Sequence, residues 1–356
     1  MSNFHVIDAD AHFIEPESMW PKYLERQFHA MAPRTTVNAE GKGVTVIGDT
    51  VLFASRYDLD DTPAFRLKAM DGEKIHGAIM YPTLGVLFGA IQRLDLNAAL
   101  CRAYNNWASD YCSANKERLF ASAVVTQCDV FEAVKEARRA ISEKNLTGVV
   151  LRPNPVGGRN FDDPSWEPLW NVLEELDTPL VLHEGTAPAG CLPTVAFDRF
   201  TNYNYRHAIS HPFEQMIAIM TLISGGVLER HPKLRVVQVE AGCGWVPYWL
   251  ERLDHHTTPW HLRGNVALKM KPSDYFKRQV LVSADPEENI LKEVVSAIGD
   301  DNIAFSTDFP HADHQFEGMV ARCADRPELT DATKAKILGT NVARFFRIPI
   351  KAGAMA

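Results

Sequence analysis

The stretch that decides the fold is TGVVLRPNPVGGRNFDDPSWEPLWNVLEELDTPLVLHEG, residues 147–185. It contains two short apolar runs, TGVVLRPN at 147–154 and PLVLHEG at 179–185, and each run ends in polar residues. Between them, WEPLWNVLEEL at 166–176 places apolar residues at helical spacing. A strand, a helix and a second strand in this order predict a parallel βαβ unit, and such apolar runs are typical of strands buried on both faces.

The same alternation runs through the whole chain. Strand-like runs occur at 4–12, 77–83, 119–127, 147–154, 179–185, 234–242, 279–285 and 302–310. Helical segments occur at 96–118, 130–144, 166–176, 212–230, 245–256, 287–298 and 332–348. Eight repeats favour an α/β fold of the closed (β/α)8 TIM-barrel type over an open doubly wound sheet. No strand is followed by the G-x-G-x-x-G turn of dinucleotide-binding folds. We therefore expect a single barrel domain over residues 1–356.

One stretch interrupts this rhythm. Residues 13–68 are too many for a simple connection between a strand and a helix. Within them, KGVTVIGDTVLFA at 42–54 predicts two short strands around a Gly-Asp turn. We expect an insertion near the mouth of the barrel, which either shapes or covers the pocket or is a surface decoration. A second stretch, 186–207, is rich in aromatic and turn-forming residues and is a further candidate for the border of the site.

Composition and charge restrict the partners. The chain has 356 residues, of which 46% are hydrophobic and 23% charged, the balance of a globular protein. Its net charge of −8 disfavours nucleic acids and anionic membranes, but a small acidic substrate is compatible because a bound cation can dominate a site. No apolar run predicts a transmembrane helix, and the N-terminus lacks a signal-peptide pattern. Six cysteines without a C-x-x-C pair are expected to be buried free thiols, which favours a reducing, cytoplasmic compartment.

Ionisable residues stand at the carboxyl ends of several predicted strands, the face at which TIM barrels place their active sites. Strand one ends in Asp10-Ala-His12, strand five in His183, and strand eight in Asp308. Asp10 and His12 are two residues apart on a strand, so their side chains face the same side. These oxygen and nitrogen ligands suit zinc, and also manganese or iron. We therefore predict a site for one divalent metal ion, held by Asp10, His12, His183 and Asp308.

Segments spanning almost the whole chain resemble the amidohydrolase-related family, in the branch that includes aminocarboxymuconate-semialdehyde decarboxylase and the resorcylate-type decarboxylases. These segments are VIDADAHFIEP, RLKAMDGEKIHGAIMYPT, GVVLRPNP, PLVLHEG, HPFEQMIAIMTLISGGVLERHPKLRVVQVEAGCGWVPYWLERLD and NIAFSTDFPHAD. The resemblance implies a metal-dependent barrel enzyme, with His183 as the strand-five ligand and Asp308 as both ligand and proton shuttle. The family's first-strand motif is usually His-x-His, with an acidic first residue in some decarboxylases. Asp10 is of the acidic type, so manganese is the alternative to zinc, our first expectation.

One departure from the family concerns the end of strand six. Decarboxylases of this branch carry a catalytic histidine there, followed by glycines, whereas this chain has Glu240-Ala-Gly242-Cys-Gly244. A glutamate can exchange protons where its surroundings raise its pKa, or it can orient a metal-bound histidine. Glu240 is therefore a catalytic candidate with two open roles.

Four further residues complete the set of candidates. His211 lies at a predicted helix start, and either faces the pocket as a catalytic residue or caps or packs the helix. His311, three residues after Asp308, is expected to donate a hydrogen bond to the substrate or to Asp308. Arg152 either binds a substrate carboxylate bidentately or pairs with a neighbouring carboxylate. Trp245 either walls an aromatic substrate pocket or packs in the core.

Three functions are compatible with these residues. The first is non-oxidative, metal-dependent decarboxylation of a small aromatic or conjugated carboxylic acid, in which Asp308 protonates the carbon that loses carbon dioxide. The second is metal-dependent hydrolysis of an amide, ester, lactone or carbon–carbon bond next to a carbonyl, and Glu240 favours it. The third is a binding barrel without catalysis, which the complete ligand set argues against. We expect the decarboxylase, and the resemblance also implies a homodimer or larger homo-oligomer.

Overall fold

The structure, a computed structural model, describes residues 4–37, 41, 43–52, 59–186, 192–257, 266–311 and 316–350. The strands in this part of the chain are β1 (Val6–Phe13), β2 (Arg34–Val37), β3 (Gly43–Ile47), β4 (Thr50–Leu52), β5 (Ile75–Pro82), β6 (Leu119–Ala121), β7 (Ala123–Val124), β8 (Val149–Leu151), β9 (Leu180–His183), β10 (Val236–Val239), β11 (Val280–Ala284) and β12 (Ile303–Phe305). The helices are α1 (Trp20–Tyr23), α2 (Pro63–Glu73), α3 (Leu94–Cys112), α4 (Val130–Ser142), α5 (Glu167–Glu175), α6 (Tyr203–Ser224), α7 (Val227–Arg230), α8 (Val246–His256), α9 (Pro272–Gln279), α10 (Leu291–Ile298), α11 (Met319–Ala324), α12 (Asp331–Ala335) and α13 (Asn341–Phe346).

Parallel strands close into a TIM barrel. Strands β7 to β12 pair in chain order, and β1, β5 and β6 form a second parallel group. Only one residue separates β6 from β7, so the two are halves of one bent barrel strand. The ring closes between β12 and β1, where the amide of His12 donates to the carbonyl of Phe309 at 2.8 Å and the amide of Asp308 donates to the carbonyl of Asp10 at 2.8 Å. The predicted α/β barrel is confirmed.

Apolar runs explain why these strands lie inside. Every residue of β9, β10 and β11 is buried, as expected for parallel strands covered by helices on the outside. The helices are apolar on one side; α4, for example, buries Val130, Ala133, Ala137 and Ala140 at helical spacing. The barrel therefore holds its carboxyl-end residues on a rigid, fully buried frame.

The insertion after β1 is shorter than predicted. Helix α2 begins at Pro63, inside the predicted range 13–68. Thr62 caps this helix by accepting a hydrogen bond from the amide of Phe65 at 3.2 Å, and Pro63 takes the first helical position. A threonine followed by proline is a start signal that the sequence prediction overlooked. The two predicted short strands correspond to β3 and β4, and β2 adds a third strand to this antiparallel sheet.

Helix α6 begins at Tyr203, whereas the sequence predicted a start at residue 212. Asn202 is the true cap, because its side chain accepts hydrogen bonds from the amides of Asn204 and Tyr205 at 2.9 and 3.4 Å. Pro212 was mistaken for a helix start, although it lies inside the helix. His211 is therefore a mid-helix residue, and its predicted position at a helix start is wrong.

The six cysteines were expected to be buried free thiols. Cys101, Cys112, Cys128, Cys243 and Cys323 are free; all are buried except Cys128, which is half-buried, and Cys191 lies outside the described residues. In the described part of the chain, no helix has the length and apolar character needed to cross a membrane.

Asp8 ties β1 to the end of β12 below the site. Its buried carboxylate accepts hydrogen bonds from the amides of Asp10 at 3.1 Å and Thr307 at 3.0 Å, and from the hydroxyl of Thr307. Asp8→Ala removes the acceptor of the Asp10 amide and of the Thr307 hydroxyl, so we expect the free energy of unfolding to fall by about 2 to 4 kcal/mol. Urea denaturation checks this against Asp325→Ala at the exposed end of α11. Equal denaturation midpoints for the two variants would contradict the role of Asp8.

Candidate active site

Four predicted metal ligands converge at the carboxyl-end mouth of the barrel. Asp10 Oδ1 lies 3.6 Å from His12 Nε2 and 3.4 Å from His183 Nε2. Asp308 Oδ1 lies 3.4 Å from His12 Nε2, and the two histidine Nε2 atoms are 2.8 Å apart. All four residues are buried. The structure therefore brings together the side chains that were predicted from three separate strand ends.

A divalent cation fits Asp10, His12 and His183, whose ligand atoms lie within 4.8 Å of one another, and Asp308 adjoins this group through His12. Atoms that bind one ion at about 2.1 Å lie about 3.0 to 3.4 Å from one another in octahedral or tetrahedral arrangements, close to the separations found here. Asp10 Oδ1 is buried without a hydrogen-bond partner. A buried carboxylate oxygen without a partner is costly, and a cation at this point would remove that cost.

The ring of His183 is oriented by its backbone and by Glu240. Its Nδ1 lies 2.6 Å from the carbonyl of Glu184 and 3.0 Å from Glu240 Oε2. Both neighbours are oxygen acceptors, so Nδ1 carries the hydrogen and Nε2 is left with a lone pair directed at Asp10 and His12. This arrangement of a carboxylate behind a histidine is the one that orients metal-bound histidines.

His211 faces the same carboxylate from helix α6. Its Nε2 lies 3.3 Å from Glu240 Oε1, and its side chain is buried. Burial by itself lowers the pKa of His211, but the charge of Glu240 outweighs burial and raises this pKa to about 9. Glu240 has a positive φ of 58°, and so does Asp308, at 55°. This conformation costs about 1 to 2 kcal/mol for residues other than glycine and is frequent at functional sites.

His311 is paired with Asp308. Its Nδ1 lies 2.8 Å from Asp308 Oδ1, its Nε2 lies 2.8 Å from the hydroxyl of Thr83, and its ring stacks on His12 with 3.9 Å between centroids. Burial lowers the pKa of His311, but the nearby Asp308 carboxylate outweighs this and raises it to about 9. His311 was expected to donate a hydrogen bond either to the substrate or to Asp308, and the structure shows the contact with Asp308.

A cavity of about 1150 Å³ opens above these residues. Its floor includes His12, His183, Glu240 and His311, and its rim includes Arg34, Thr35, Gly43 and Thr45 of the β2–β4 sheet. Residues of the insertion therefore line the cavity, and its role in shaping or covering the pocket stays a prediction. The stretch at 186–207 also borders the cavity, through Thr186, Tyr203 and His207.

The sequence profile described as amidohydrolase matches residues 7–348. The chain belongs to the amidohydrolase family. It is 27% identical over 305 residues to gamma-resorcylate decarboxylase of Rhizobium sp. (strain MTP-10005), covering 82% of this chain and 88% of that protein. The predicted family resemblance is confirmed.

Solved structures show the same fold. An amidohydrolase from Mycobacterium avium subsp. paratuberculosis K-10 superposes with a TM-score of 0.81 at 22% identity, covering 97% of this chain and 100% of that one. The 5-carboxyvanillate decarboxylase of Novosphingobium aromaticivorans, complexed with manganese and 4-hydroxy-3-methoxy-5-nitrobenzoic acid, superposes with a TM-score of 0.73 at 21% identity. That match covers 97% of this chain and 96% of the other.

Arg152 makes several hydrogen bonds within the protein. Its guanidinium binds Glu184 Oε1 at 2.9 Å, the carbonyl of Gly185 at 2.8 Å and Asn154 Oδ1 at 3.1 Å. It does not line the large cavity among the described residues. The structure therefore shows the second alternative, a buried ion pair with a neighbouring carboxylate, and contact with a substrate stays a prediction.

Trp245 likewise lies away from the large cavity. Its indole nitrogen donates to the carbonyl of Gly242 at 2.9 Å, and its ring packs against the core. Among the described residues, those that line the cavity do not include it. The structure thus shows core packing for Trp245, and its role as an aromatic wall of the substrate pocket stays a prediction.

Arg66, which no sequence pattern indicated, holds two segments of the candidate site together. This buried side chain donates to the carbonyl of His12 and, at 2.9 Å, to the carbonyl of Phe309, next to Asp308. Asp61 Oδ2 accepts from it at 2.9 Å. No local pattern reveals these contacts, because Arg66 is distant in sequence from Phe309.

Arg66→Lys is expected to weaken metal binding about 10- to 100-fold, the effect usual for residues that position metal ligands. A lysine keeps the charge but cannot reach three acceptors at once. Competition between the protein and a fluorescent chelator measures the metal affinity. Arg138→Lys is the matched control, because Arg138 pairs with Glu175 at the surface. Unchanged affinity in Arg66→Lys would show that Arg66 does not position the ligands.

Proposed function

We propose that this amidohydrolase is a metal-dependent, non-oxidative decarboxylase of a small aromatic or conjugated carboxylic acid. The group of Asp10, His12 and His183, with Asp308 3.4 Å from His12, carries the proposal, because His12 and His183 line a large cavity. The similarity to gamma-resorcylate decarboxylase over 82% of the chain supports this reaction class. The catalytic and ligand roles of these residues belong to the same proposal.

A divalent cation held by the four ligands would supply Lewis-acid stabilisation to the substrate carboxylate and a neighbouring oxygen. Asp308 then donates its proton to the ring carbon, while the carbon–carbon bond breaks and carbon dioxide leaves. The electron pair of the broken bond becomes the new carbon–hydrogen bond. His311, at 2.8 Å from Asp308, orients the carboxyl group and can return a proton to it.

Glu240 and His211 take positioning roles in this proposal. Glu240 holds the Nδ1 hydrogen of His183, and its pKa is lowered because the charges of His183 and His211 outweigh burial. A carboxyl group with a lowered pKa is a poor proton donor at neutral pH, so the orienting role is the better of the two that were left open.

Manganese is the ion to test first. The related 5-carboxyvanillate decarboxylase structure holds manganese with a nitrobenzoic acid, and two of the four proposed ligands here are carboxylates, which manganese accepts readily. Zinc, the first expectation from the sequence, suits the same mixed oxygen and nitrogen set and stays a prediction. A homo-oligomeric assembly and a cytoplasmic location also stay predictions.

The reaction is tested by incubating manganese-loaded protein with a panel of hydroxybenzoic and conjugated dicarboxylic acids and measuring released carbon dioxide. We expect release with at least one acid, and loss of release after chelation of the metal. A second panel of esters, amides and lactones tests hydrolysis. Hydrolysis is the second candidate function, and Glu240 at the end of β10 favours it. Turnover in the second panel without carbon dioxide release would overturn decarboxylation.

A further inference from the structure

A second group of possible metal ligands lies on the wall of the same cavity. His207 and His211 are one turn apart on α6, so they lie on the same face of the helix. Their ring centroids are 4.2 Å apart. Glu240 approaches them from the end of β10, and one ligand atom from each of the three residues lies within 4.8 Å of the other two.

The hydrogen bonds of His211 direct one nitrogen at this point. Its Nδ1 lies 3.0 Å from the carbonyl of His207, which can only accept, so Nδ1 carries the hydrogen. A cation that displaces the second ring proton would therefore meet the lone pair of Nε2. This buried Nε2 makes no hydrogen bond, although Glu240 Oε1 lies 3.3 Å away, and the whole residue is only 4% exposed. A buried nitrogen in this state is costly unless another group binds it.

The two carboxylate oxygens of Glu240 face different neighbours. Oε2 lies 3.0 Å from His183 Nδ1, on the side of the four-ligand site. Oε1 lies 3.3 Å from His211 Nε2, on the side of α6. Oε2 can therefore orient His183, while Oε1 remains available to a cation between Glu240 and the two histidines.

We propose that His207, His211 and Glu240 bind a second divalent cation. Two histidines at i and i+4 of a helix together with one glutamate form a ligand set that zinc and similar ions use in proteins. All three residues line the large cavity, so coordination positions on the ion face the space available to substrate. The site is separate from the four-ligand site and does not rest on the proposed reaction.

A cation at this place would extend what the cavity recognises. The first ion would bind one end of the substrate, and the second would bind a further oxygen, such as a second carboxylate, a carbonyl or a phenolate. The cavity volume of about 1150 Å³ leaves room for a substrate with two such groups. The competing account is an ion pair between protonated His211 and Glu240 with no metal, which the experiment below separates from ours.

Equilibrium dialysis of the metal-free full chain against increasing zinc chloride, followed by elemental analysis, counts the ions. We expect saturation at two zinc ions per chain for the wild type and at one for His207→Gln. His183→Ala is also expected to saturate at one ion, because it loses the other site. His255→Gln, an exposed histidine on α8, is the control and should keep two ions.

The retained ion in His207→Gln shows that the variant is folded, and His211→Gln provides an independent second variant with the same expected loss of one ion. Saturation of the wild type at one ion, or two ions in both His207→Gln and His211→Gln, would overturn the second site. If His183→Ala bound as many zinc ions per chain as the wild type, the four-ligand site would be wrong instead. The two failures are therefore distinguishable.

Discussion

Asp308→Asn is expected to lower kcat for carbon dioxide release by about 10²- to 10⁴-fold while the protein still binds its first metal ion. An asparagine oxygen can take the place of Asp308 Oδ1 beside His12, but an amide cannot deliver a proton to the substrate. The loss should fall on kcat rather than on KM, because proton delivery belongs to the chemical step. Steady-state kinetics with an acid from the substrate panel measures both parameters.

The matched control for this prediction is Asp325→Asn, an aspartate at the exposed end of α11. It should leave both kcat and KM close to the wild type. If Asp308→Asn kept a wild-type kcat and a full metal content, another residue would have to deliver the proton, and the assignment of Asp308 would be wrong.

His183→Ala is expected to remove the first metal ion and, with it, detectable turnover. The variant loses one of four ligands and leaves Glu240 Oε2 without the ring that it orients. Loss of a residue that merely positions a ligand already costs about 10- to 100-fold in metal affinity, so loss of the ligand itself should cost at least about 100-fold. Elemental analysis after dialysis into metal-free buffer and the carbon dioxide assay measure the two effects.

His255→Ala repeats the same substitution at an exposed position on α8, and both its metal content and its turnover should match the wild type. Full turnover by His183→Ala in chelator-treated buffer is the result that the account cannot accommodate, because it would mean that the reaction needs no ion at this site.

The barrel and the four proposed ligands could be predicted because both follow from local sequence. Parallel barrel strands are buried on both faces, so each appears as an uninterrupted apolar run. Asp10 and His12 share a strand face because strand side chains alternate. The carboxyl ends of all barrel strands meet at one mouth, which places His183 and Asp308 beside them without knowledge of any contact.

The sequence patterns did not reveal contacts between residues far apart in the chain, and they misplaced the start of one helix. Arg152 suits a carboxylate, but only the structure shows that Glu184 supplies it. Pro212 is a common helix-start residue, so the pattern hid the turn of α6 that places His207 beside His211. Arg66 reaches the carbonyl of Phe309 across 243 residues, and no periodicity encodes such a contact.

The most direct test of the central claim is anomalous X-ray diffraction from crystals of manganese-reconstituted protein. We predict a manganese peak within bonding distance of Asp10, His12, His183 and Asp308, at the mouth of the barrel. Manganese absent from this position, in protein whose decarboxylation still depends on added manganese, would contradict the account.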